Sequence, residues 1–404
     1  MVNILYISTS CSKDKYKEIF RIRKVKAIEP QQKFNNLLIE GISSCENVKV
    51  TALSSLPVSY STCDIERFEY EKEVITNNLV YEYIPFRNGK FTRLIDCYSN
   101  TKKYVRRWLE ENKGSKCYIL VDALSVFMIM GCFKYAKKYN VPVVGIVTDL
   151  PELTTNMKSR EMPFIKKALL QIIEHINTKT LAKYDAFITL TESLNEFINH
   201  NNRPYIVVEG SVDANLNYNV PKPNNKRILV YAGGVYAKYG IANLVEAFAE
   251  IKTDSELHIY GDGTYVERIN EISLEHKNIK YKGMVSLEDI VRVEQDATLL
   301  INPRPSSEEF SKYSFPSKTL EYMASGTPLL TTKLPGIPLE YFNYTYTIDD
   351  ESKEGLGKAL IYVLGEKDEE LVKKGKAAFD FVKEYKTNVK QGAIIVDFLK
   401  RLPS

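Results

Sequence analysis

The amino-acid sequence predicts an α/β protein of two domains, each built on a parallel sheet covered by helices. Its 404 residues exceed the length that one hydrophobic core usually serves. Short apolar runs alternate with longer amphipathic segments from end to end, which is the pattern of parallel strands joined by helices. Between the two halves, residues 215–225 include five asparagines and two prolines, a composition typical of an exposed connection.

In the first half, short runs rich in valine, isoleucine and leucine predict strands, and segments with helical periodicity predict helices. Ser8–Lys26, after the first strand, is predicted as a long basic loop. The predicted strands are Val2–Ser8, Val48–Leu53, Val80–Ile84, Cys117–Val121, Val141–Val147 and Ala186–Leu190. The predicted helices are Gln32–Ser43, Thr101–Asn112, Val126–Lys138, Pro163–Leu181 and Glu192–His200.

The second half repeats this alternation. Its predicted strands are Arg227–Tyr231, Glu256–Tyr260, Ile279–Tyr281, Ala297–Ile301 and Pro328–Thr331. Its predicted helices are Asn243–Ile251, Tyr265–Leu274, Leu287–Glu294, Ser317–Ala324 and Glu354–Leu364, and a last helical stretch covers roughly Glu366–Leu402.

These elements place a first domain at residues 1–205, a linker at 206–225 and a second domain at 226–380. The remainder, 381–404, is predicted as a C-terminal helix that could cross back onto the first domain. Open parallel sheets bind ligands beyond the carboxyl ends of their strands. We therefore expect two Rossmann-like domains that face a cleft.

Composition excludes several classes of protein. The net charge is only +4, with acidic and basic residues mixed along the chain, which argues against a nucleic-acid-binding protein. No segment approaches the roughly 20 apolar residues of a membrane span. The six cysteines lie in the first third without a CxxC pair, so we expect reduced thiols and a cytoplasmic protein.

The most specific segment is Leu299–Leu330, where a buried strand leads through a polar loop to a short helix that follows Pro316. Backbone N–H groups at a helix start lack partners within the helix and bind phosphate. We expect Ser317 to cap this helix, Lys318 to add positive charge, and Glu321 to accept hydrogen bonds from a ribose. Taken alone, Ser-Lys-x-x-Glu would equally suit a structural helix.

The longer run Phe-Pro-Ser-Lys-x-x-Glu-Tyr-Met-Ala-Ser-Gly-x-Pro resembles the donor-binding segment of the family-4 retaining glycosyltransferases, which have the GT-B fold. The resemblance covers about residues 225–365 and implies that Glu321 holds the ribose. Where the family usually carries another glutamate, eight residues earlier, this chain has Tyr313. The residues implied to surround the diphosphate and sugar are Ser314, Phe315, Pro316, Ser317 and Lys318.

A second signal is the glycine turn that opens the second domain. Gly233 and Gly234 follow a strand and precede a helix, so the backbone could approach a phosphate closely, although such turns also serve strand–helix packing alone. In the resembling family this loop supplies an arginine and a lysine that neutralise the diphosphate. Here Lys238 lies one residue from the lysine position, and we expect Arg304 to supply the missing charge.

Two further segments agree with a nucleotide pocket in the second domain. His258–Gly263 is a strand that ends in Gly-x-Gly, and Lys280–Glu288 contains a strand, a glycine and a helix start. Similar segments in the resembling family line the nucleotide pocket. The further predicted donor contacts are Tyr239, Gly283, Met284, Val285 and Tyr313.

The best catalytic candidate is Asp149, at the carboxyl end of a predicted strand, although it could merely orient the following loop. The resembling family often has a histidine where this chain has Thr148. None of the four histidines follows a first-domain strand as a catalytic base would. Asp349 and Asp350 are predicted to cap the next helix, and we expect neither a metal ion nor another cofactor.

The resemblance implies transfer with retention, in which the leaving diphosphate takes the acceptor's proton on the same face. The predicted role of the protein is then to stabilise charge on the leaving group, through Arg304, Lys238, Lys318 and the helix start. We expect Lys318→Ala or Arg304→Ala to lower turnover far more than stability.

The first domain is predicted to bind the acceptor. Ser8, Thr9 and Ser10 follow the first strand, and together with Thr148 they form the predicted acceptor side. Basic segments at 8–26, 102–108 and 163–170 would suit an anionic membrane surface and a lipid-diphosphate acceptor, although basic helices are more often simply solvated.

The resemblance thus implies a bacterial glycosyltransferase that moves a sugar from a nucleotide sugar, preferably a UDP-sugar, to a glycan or lipid-linked saccharide. The expected setting is capsule, exopolysaccharide or cell-surface glycan synthesis, in the cytoplasm or at the inner face of the cell membrane. Two alternatives are a GT-B-like sugar-nucleotide epimerase and a non-catalytic module that binds nucleotide sugars. The epimerase would need acid–base residues for which the sequence offers few candidates, and the module would show neither transfer nor donor hydrolysis.

Overall fold

The computed structural model describes residues 1–24, 30–148, 178–218 and 226–403. The chain divides into two compact units. The first unit contains Met1–Asp213 together with Asn388–Ser404, and the second contains Ala214–Thr387. No helix among the described residues is both long enough and apolar enough to cross a membrane.

The first unit is built on a mainly parallel sheet. Its strands in chain order are β1 (Val2–Ser8), β2 (Val48–Ser54), β3 (Arg67–Phe68), β4 (Glu71–Thr76), β5 (Leu79–Tyr83), β6 (Phe86–Arg87), β7 (Lys116–Asp122), β8 (Val143–Val147), β9 (Ala186–Thr189) and β10 (Tyr205–Val207). The large sheet has the order β10-β9-β8-β7-β1-β2-β5-β4, and only β4 is antiparallel to its neighbour. β1 and β8 are buried throughout, as expected of central parallel strands that are apolar on both faces.

The described helices of this part of the chain begin and end close to their predicted bounds, with two exceptions. They are α1 (Lys13–Ile22), α2 (Pro30–Ser43), α3 (Thr92–Glu111), α4 (Val126–Tyr139) and α5 (Glu192–Ile198). The predicted loop Ser8–Lys26 contains α1, which Ser12 caps by accepting a hydrogen bond from the Lys15 N–H. The other exception is α3, which starts at Thr92 rather than at Thr101. Most of the predicted helix Pro163–Leu181 lies outside the described residues.

The second unit is built on a fully parallel sheet with the order β13-β12-β11-β14-β15-β16. Side chains of this sheet and of the helices that cover it form one buried core. The strands are β11 (Ile228–Ala232), β12 (Glu256–Tyr260), β13 (Ile279–Gly283), β14 (Leu299–Asn302), β15 (Leu329–Thr332) and β16 (Tyr346–Ile348). The helices are α6 (Ile241–Glu250), α7 (Val266–Glu275), α8 (Leu287–Asp296), α9 (Ser317–Ser325), α10 (Lys353–Gly365) and α11 (Asp368–Tyr385).

The C-terminal helix α12 (Asn388–Arg401) belongs to the first unit. It packs on α2 through Gly41 and Gly392, and a Cβ atom on either glycine would clash with the backbone of the facing helix. The Asn388 N–H donates to the Val212 carbonyl over 2.8 Å. The chain therefore returns to the first unit beside the point where it left.

The unit boundaries differ in detail from the predicted ones. The predicted linker 206–225 overlaps strand β10, and the division falls at 213/214 within it. The predicted boundary at 380/381 lies inside α11, whereas the division falls at 387/388. The end of α11 stays with the second unit because the Phe381 ring packs on Tyr341 and Tyr344 at centroid distances of 5.2 and 4.5 Å.

Candidate functional site

The carboxyl ends of β11 and β14 are neighbours in the second sheet, and the glycine turn starts at the first of them. The Gly233 N–H donates to the Tyr260 carbonyl over 3.0 Å and is therefore used within the fold. The Gly234 N–H has no acceptor among the described residues. Gly261 and Gly263 lie so close under this turn that a Cβ on either would clash with its backbone. The turn is thus held rigidly against the end of β12.

Helix α9 starts directly after Pro316, which occupies the cap position and provides no side-chain cap. The prediction that Ser317 caps this helix is therefore wrong, because Ser317 is already its first helical residue. The amide N–H groups of Ser317 and Lys318 have no acceptor in the described part of the chain. Such groups, at the positive end of a helix dipole, can bind an anion.

Tyr322 fixes the start of α9 relative to the glycine turn. Its hydroxyl accepts a hydrogen bond from the Ala232 N–H at 2.9 Å and donates to the Ala232 carbonyl at 3.0 Å. Ala232 is the last residue of β11, so this fully buried tyrosine joins the strand directly to the helix. No role was predicted for Tyr322, because nothing local in the sequence shows which strand its hydroxyl reaches.

Arg304 follows β14 and contacts two aromatic rings. Its guanidinium carbon is 4.8 Å from the centroid of Tyr239 and 5.0 Å from that of Phe310. Burial lowers the pKa of this guanidinium from its very high ordinary value. Lys238 is exposed, and its ammonium lies 5.1 Å from the Tyr239 centroid. Both predicted cations therefore share one aromatic side chain.

Arg304 and Lys318 act on one further group. Burial raises the pKa of the Tyr231 hydroxyl, and the positive charges of Arg304 and Lys318 both act to lower it. The Tyr231 hydroxyl donates to the Gly234 carbonyl over 2.7 Å. The cation after β14 and the cation on α9 are thus both close to the glycine turn.

Lys318 is bound by two carboxylates. Its ammonium lies 3.1 Å from Glu294 of α8 and 3.0 Å from Glu321 of its own helix. Burial acts to lower the pKa of Lys318, but the two carboxylates outweigh it and the pKa is raised. Glu294 is 3% exposed and was not identified from the sequence, because its partner is distant along the chain.

The other predicted donor contacts surround this centre less closely. Gly283 has φ +72° and open space beside it, and the apolar side chain of Met284 after it is 75% exposed; Val285 is also exposed. Ser314 donates to the Phe310 carbonyl, a contact within the one loop that carries Arg304 and leads to α9. Tyr313 is half-buried, whereas Phe315 and Pro316 are buried.

In the first unit, the predicted acceptor residues lie at the carboxyl ends of the central strands. The Ser10 N–H donates to the Ser8 side chain, and the Thr9 carbonyl accepts from Gln32. Thr148, after β8, accepts a 3.4 Å hydrogen bond from Gln31. Asp149 lies outside the described residues, so its catalytic role stays a prediction.

A buried carboxylate that the sequence analysis missed lies at the end of β7. Asp122 is 1% exposed and accepts hydrogen bonds from Gln31, Asn35 and the Leu124 N–H at 3.0–3.1 Å. Burial raises the pKa of Asp122, and these donors act to lower it. The side-chain amide of Gln31 thus joins Asp122 to Thr148.

The acidic pair after β16 is not arranged as a metal site. Asp349 lies 2.8 Å from the Lys333 ammonium, and Asp350 accepts a hydrogen bond from the Ser352 N–H. The helix that follows is capped by Ser352, which accepts from the Gly355 N–H. The prediction that the two aspartates cap it is therefore wrong, although Asp350 supports the cap. Among the described residues, no group of three or more His, Cys, Asp or Glu side chains could hold a metal ion.

Comparisons with known proteins agree with this geometry. Residues 226–366 match the family model described as glycosyl transferases group 1. No curated protein matches the sequence. Three solved structures share the fold over nearly the whole chain. Sucrose-phosphate synthase from Thermosynechococcus elongatus has 14% identity and a TM-score of 0.65, covering 100% of this chain and 99% of that chain.

The other two solved structures have comparable TM-scores and sequence identities. Trehalose-6-phosphate synthase OtsA has 10% identity and a TM-score of 0.67, with 99% of each chain covered. HepE from Anabaena, in complex with UDP-glucose, has 11% identity and a TM-score of 0.60, with 99% of this chain and 100% of that chain covered. These likenesses show the GT-B fold, and the group 1 domain shows the class of enzyme: the chain is a GT-B glycosyltransferase.

Proposed function

We propose that this glycosyltransferase moves a sugar from a UDP-sugar to a hydroxyl group of a saccharide, with retention at the anomeric carbon. The second unit would bind the donor and the first unit the acceptor. Uridine is preferred because proteins of the same fold have been solved with it: HepE with UDP and with UDP-glucose, and the E. coli trehalose-6-phosphate protein with UDP-2-fluoro glucose.

One observation carries the proposal. The Ser317 and Lys318 N–H groups have no acceptor in the described part of the chain, at a helix start that Tyr322 fastens to the end of β11. A diphosphate bound there would accept hydrogen bonds from the helix start and lie near Arg304. Together these groups would supply the charge that the resembling family takes from its glycine loop.

The chemistry follows from where charge develops. When the bond between the sugar's anomeric carbon and the diphosphate oxygen breaks, negative charge accumulates on the leaving diphosphate. Arg304, Lys238 and the start of α9 would stabilise that charge in place. In the retaining reaction, a leaving oxygen would take the proton of the acceptor hydroxyl as the new bond forms on the same face. We propose that no resident metal takes part, and full activity in excess EDTA is the expected result.

The acceptor would bind at the carboxyl ends of β1, β7 and β8. Ser10 and Thr148 lie there with Gln31 and the buried Asp122. The Ser10 hydroxyl is buried and has no hydrogen-bond partner among the described residues. Neutral hydroxyls and amides around one carboxylate suit a polyhydroxylated acceptor such as a saccharide, and we propose a bacterial cell-surface or capsular glycan as its source.

A lipid-linked form of the acceptor would require contact with a membrane. Phe91, directly before α3, lies on the same side as Ile95 and Tyr98 of that helix, and the first two are 63% and 60% exposed. The ammonium groups of Lys90 and Lys102 lie 5.6 and 5.7 Å from the Phe91 and Tyr98 rings. Apolar side chains flanked by lysines suit the interface of an anionic bilayer. Flotation with liposomes that contain or lack anionic lipid tests this point, and loss of flotation in Phe91→Ser/Ile95→Ser is expected.

A donor screen tests the proposed function. The purified chain would be incubated with UDP-, GDP- and dTDP-sugars, and slow donor hydrolysis is expected with a UDP-sugar. Transfer to saccharide acceptors would then be followed, with the anomeric configuration read by NMR. An isomeric UDP-sugar formed without acceptor would instead identify an epimerase, and tight binding without hydrolysis or transfer would identify a binding module.

A further inference from the structure

Glu294 is a buried carboxylate that the chemistry described so far does not use. It lies near the end of α8, is 3% exposed, and forms an ion pair of 3.1 Å with the Lys318 ammonium. Burying a carboxylate costs free energy unless a charged or hydrogen-bonding partner compensates it. Its backbone is also fixed, because the Thr327 hydroxyl donates to the Glu294 carbonyl over 2.6 Å.

The Lys318 ammonium links the Glu294 carboxylate to that of Glu321. The same ammonium lies 3.0 Å from Glu321, and it also lies 5.6 Å from the centre of the Tyr322 ring. One positive charge is therefore shared by two carboxylates, one buried and one that is 20% exposed at its side chain. Because these two carboxylates already compensate its positive charge, we do not expect the Lys318 ammonium to bind the diphosphate.

We infer that Glu294 is a positioning residue for ribose recognition, acting through Lys318 on Glu321. Glu294 binds the Lys318 ammonium from the buried side. The positive charge of Lys318 is therefore shared between the two carboxylates and does not fully neutralise Glu321. Glu321 then keeps enough negative charge to accept hydrogen bonds from the two hydroxyls of a ribose, and charged acceptors form the stronger hydrogen bonds. This inference rests on the proposed function, since it assumes a ribonucleotide donor.

The inference predicts a specific loss in Glu294→Gln, which keeps the shape of the side chain and removes its charge. Affinity for UDP should fall about three- to tenfold, the size expected when one hydrogen bond to a charged group is weakened. Affinity for 2′,3′-dideoxy-UDP should not change, because this analogue lacks the hydroxyls that Glu321 would bind. Both constants can be measured by titration calorimetry on the full chain.

Two further variants separate positioning from general loss of structure. In a Lys318→Met background, adding Glu294→Gln should cause no further loss of UDP affinity, because the connection is already broken. Glu275→Gln, which changes an exposed carboxylate on α7, should bind both nucleotides like the wild type. Thermal unfolding of each variant identifies any that are not folded.

The outcomes distinguish the two proposals. If Glu294→Gln weakens UDP and its dideoxy analogue equally, Glu294 is only structural and the inference is wrong. The same conclusion follows if it changes neither affinity. If the wild-type chain binds no UDP, but binds another nucleotide or none, the proposed donor is wrong, whatever the role of Glu294.

Discussion

Arg304 is the residue whose surroundings say most about the donor site. The rings of Tyr239 and Phe310 both contact its guanidinium, which fixes an arginine that the glycine loop itself lacks. Arg304→Ala should lower kcat by about 100-fold, the size found when one stabilising group is removed from a developing charge. The control is Arg268→Ala, an exposed arginine of α7, which should retain full activity. Loss of less than twofold in Arg304→Ala would contradict its role.

The ion pairs of Lys318 change the expected effect of its substitution. The sequence suggested that Lys318→Ala would lower turnover far more than stability. The structure leads to a different expectation, because the substitution removes the Lys318 ammonium from the buried Glu294 carboxylate. We expect Lys318→Met to lower the free energy of unfolding by about 1–3 kcal/mol, measured by urea denaturation. Adding Glu294→Leu should recover part of that loss, and no recovery would argue against the pair.

Glu256 joins β12 to β13 and makes the stability of the second unit depend on pH. Hydrogen bonds from Lys280 and His258 lower the pKa of this carboxyl from 4.5 to about 2. The lowered pKa means that the stabilisation is present above pH 4.5 and is lost as the pH falls towards 2. The free energies of unfolding of the wild type and Glu256→Gln should therefore differ at pH 6 and converge near pH 2. A constant difference across this range would contradict the pairing.

At the scale of elements, Gly240 lets the start of α6 pack closely against the loop that carries Arg304. Its φ is +80°, and a Cβ there would clash with the Pro303 carbonyl. Gly240→Ala should therefore displace the Arg304 loop, lower kcat at least tenfold and destabilise the protein by about 1–3 kcal/mol. Gly365→Ala is the matched control, because no atom lies within 4 Å of its Cβ position. Equal behaviour of the two variants would contradict this account.

Sequence predicted the elements that bury apolar side chains and missed those that do not. Central strands such as β1 were predicted from their apolar runs. By contrast, β4 has the sequence EKEVIT and is almost wholly exposed, so no apolar pattern marks this edge strand. Helix α1 has a basic sequence with a single fully buried residue, Ile19, and was predicted as a loop.

The candidate site shows the same limit. The glycine turn and the α9 start are local motifs, and the sequence identified both. Tyr322, Glu294 and Asp122 were missed, because each acts through partners 24 to 91 residues away along the chain. Conversely, Lys318 was assigned to phosphate from its position alone, without the carboxylates that engage it.

At the scale of the whole molecule, the second unit is one continuous segment inserted into the first. Because the Asn388 N–H meets the Val212 carbonyl, the ends of the insertion are adjacent. Residues 214–387 expressed alone should therefore fold in one cooperative transition and bind UDP within about tenfold of the full chain's affinity, without transferring sugar. Calorimetry on this fragment checks the expectation, and an unfolded fragment would show that the units depend on each other for stability.

The return of the chain to the first unit also sets an order of events during synthesis. Helix α12 packs on α2, which is synthesised some 350 residues earlier. While the intervening residues are being made, the face of α2 around Gly41 has no partner, and the second unit is completed first. The first unit of this enzyme thus completes its fold only after the second unit has been synthesised, and a ribosome that stalls before Asn388 leaves it with an uncovered helix.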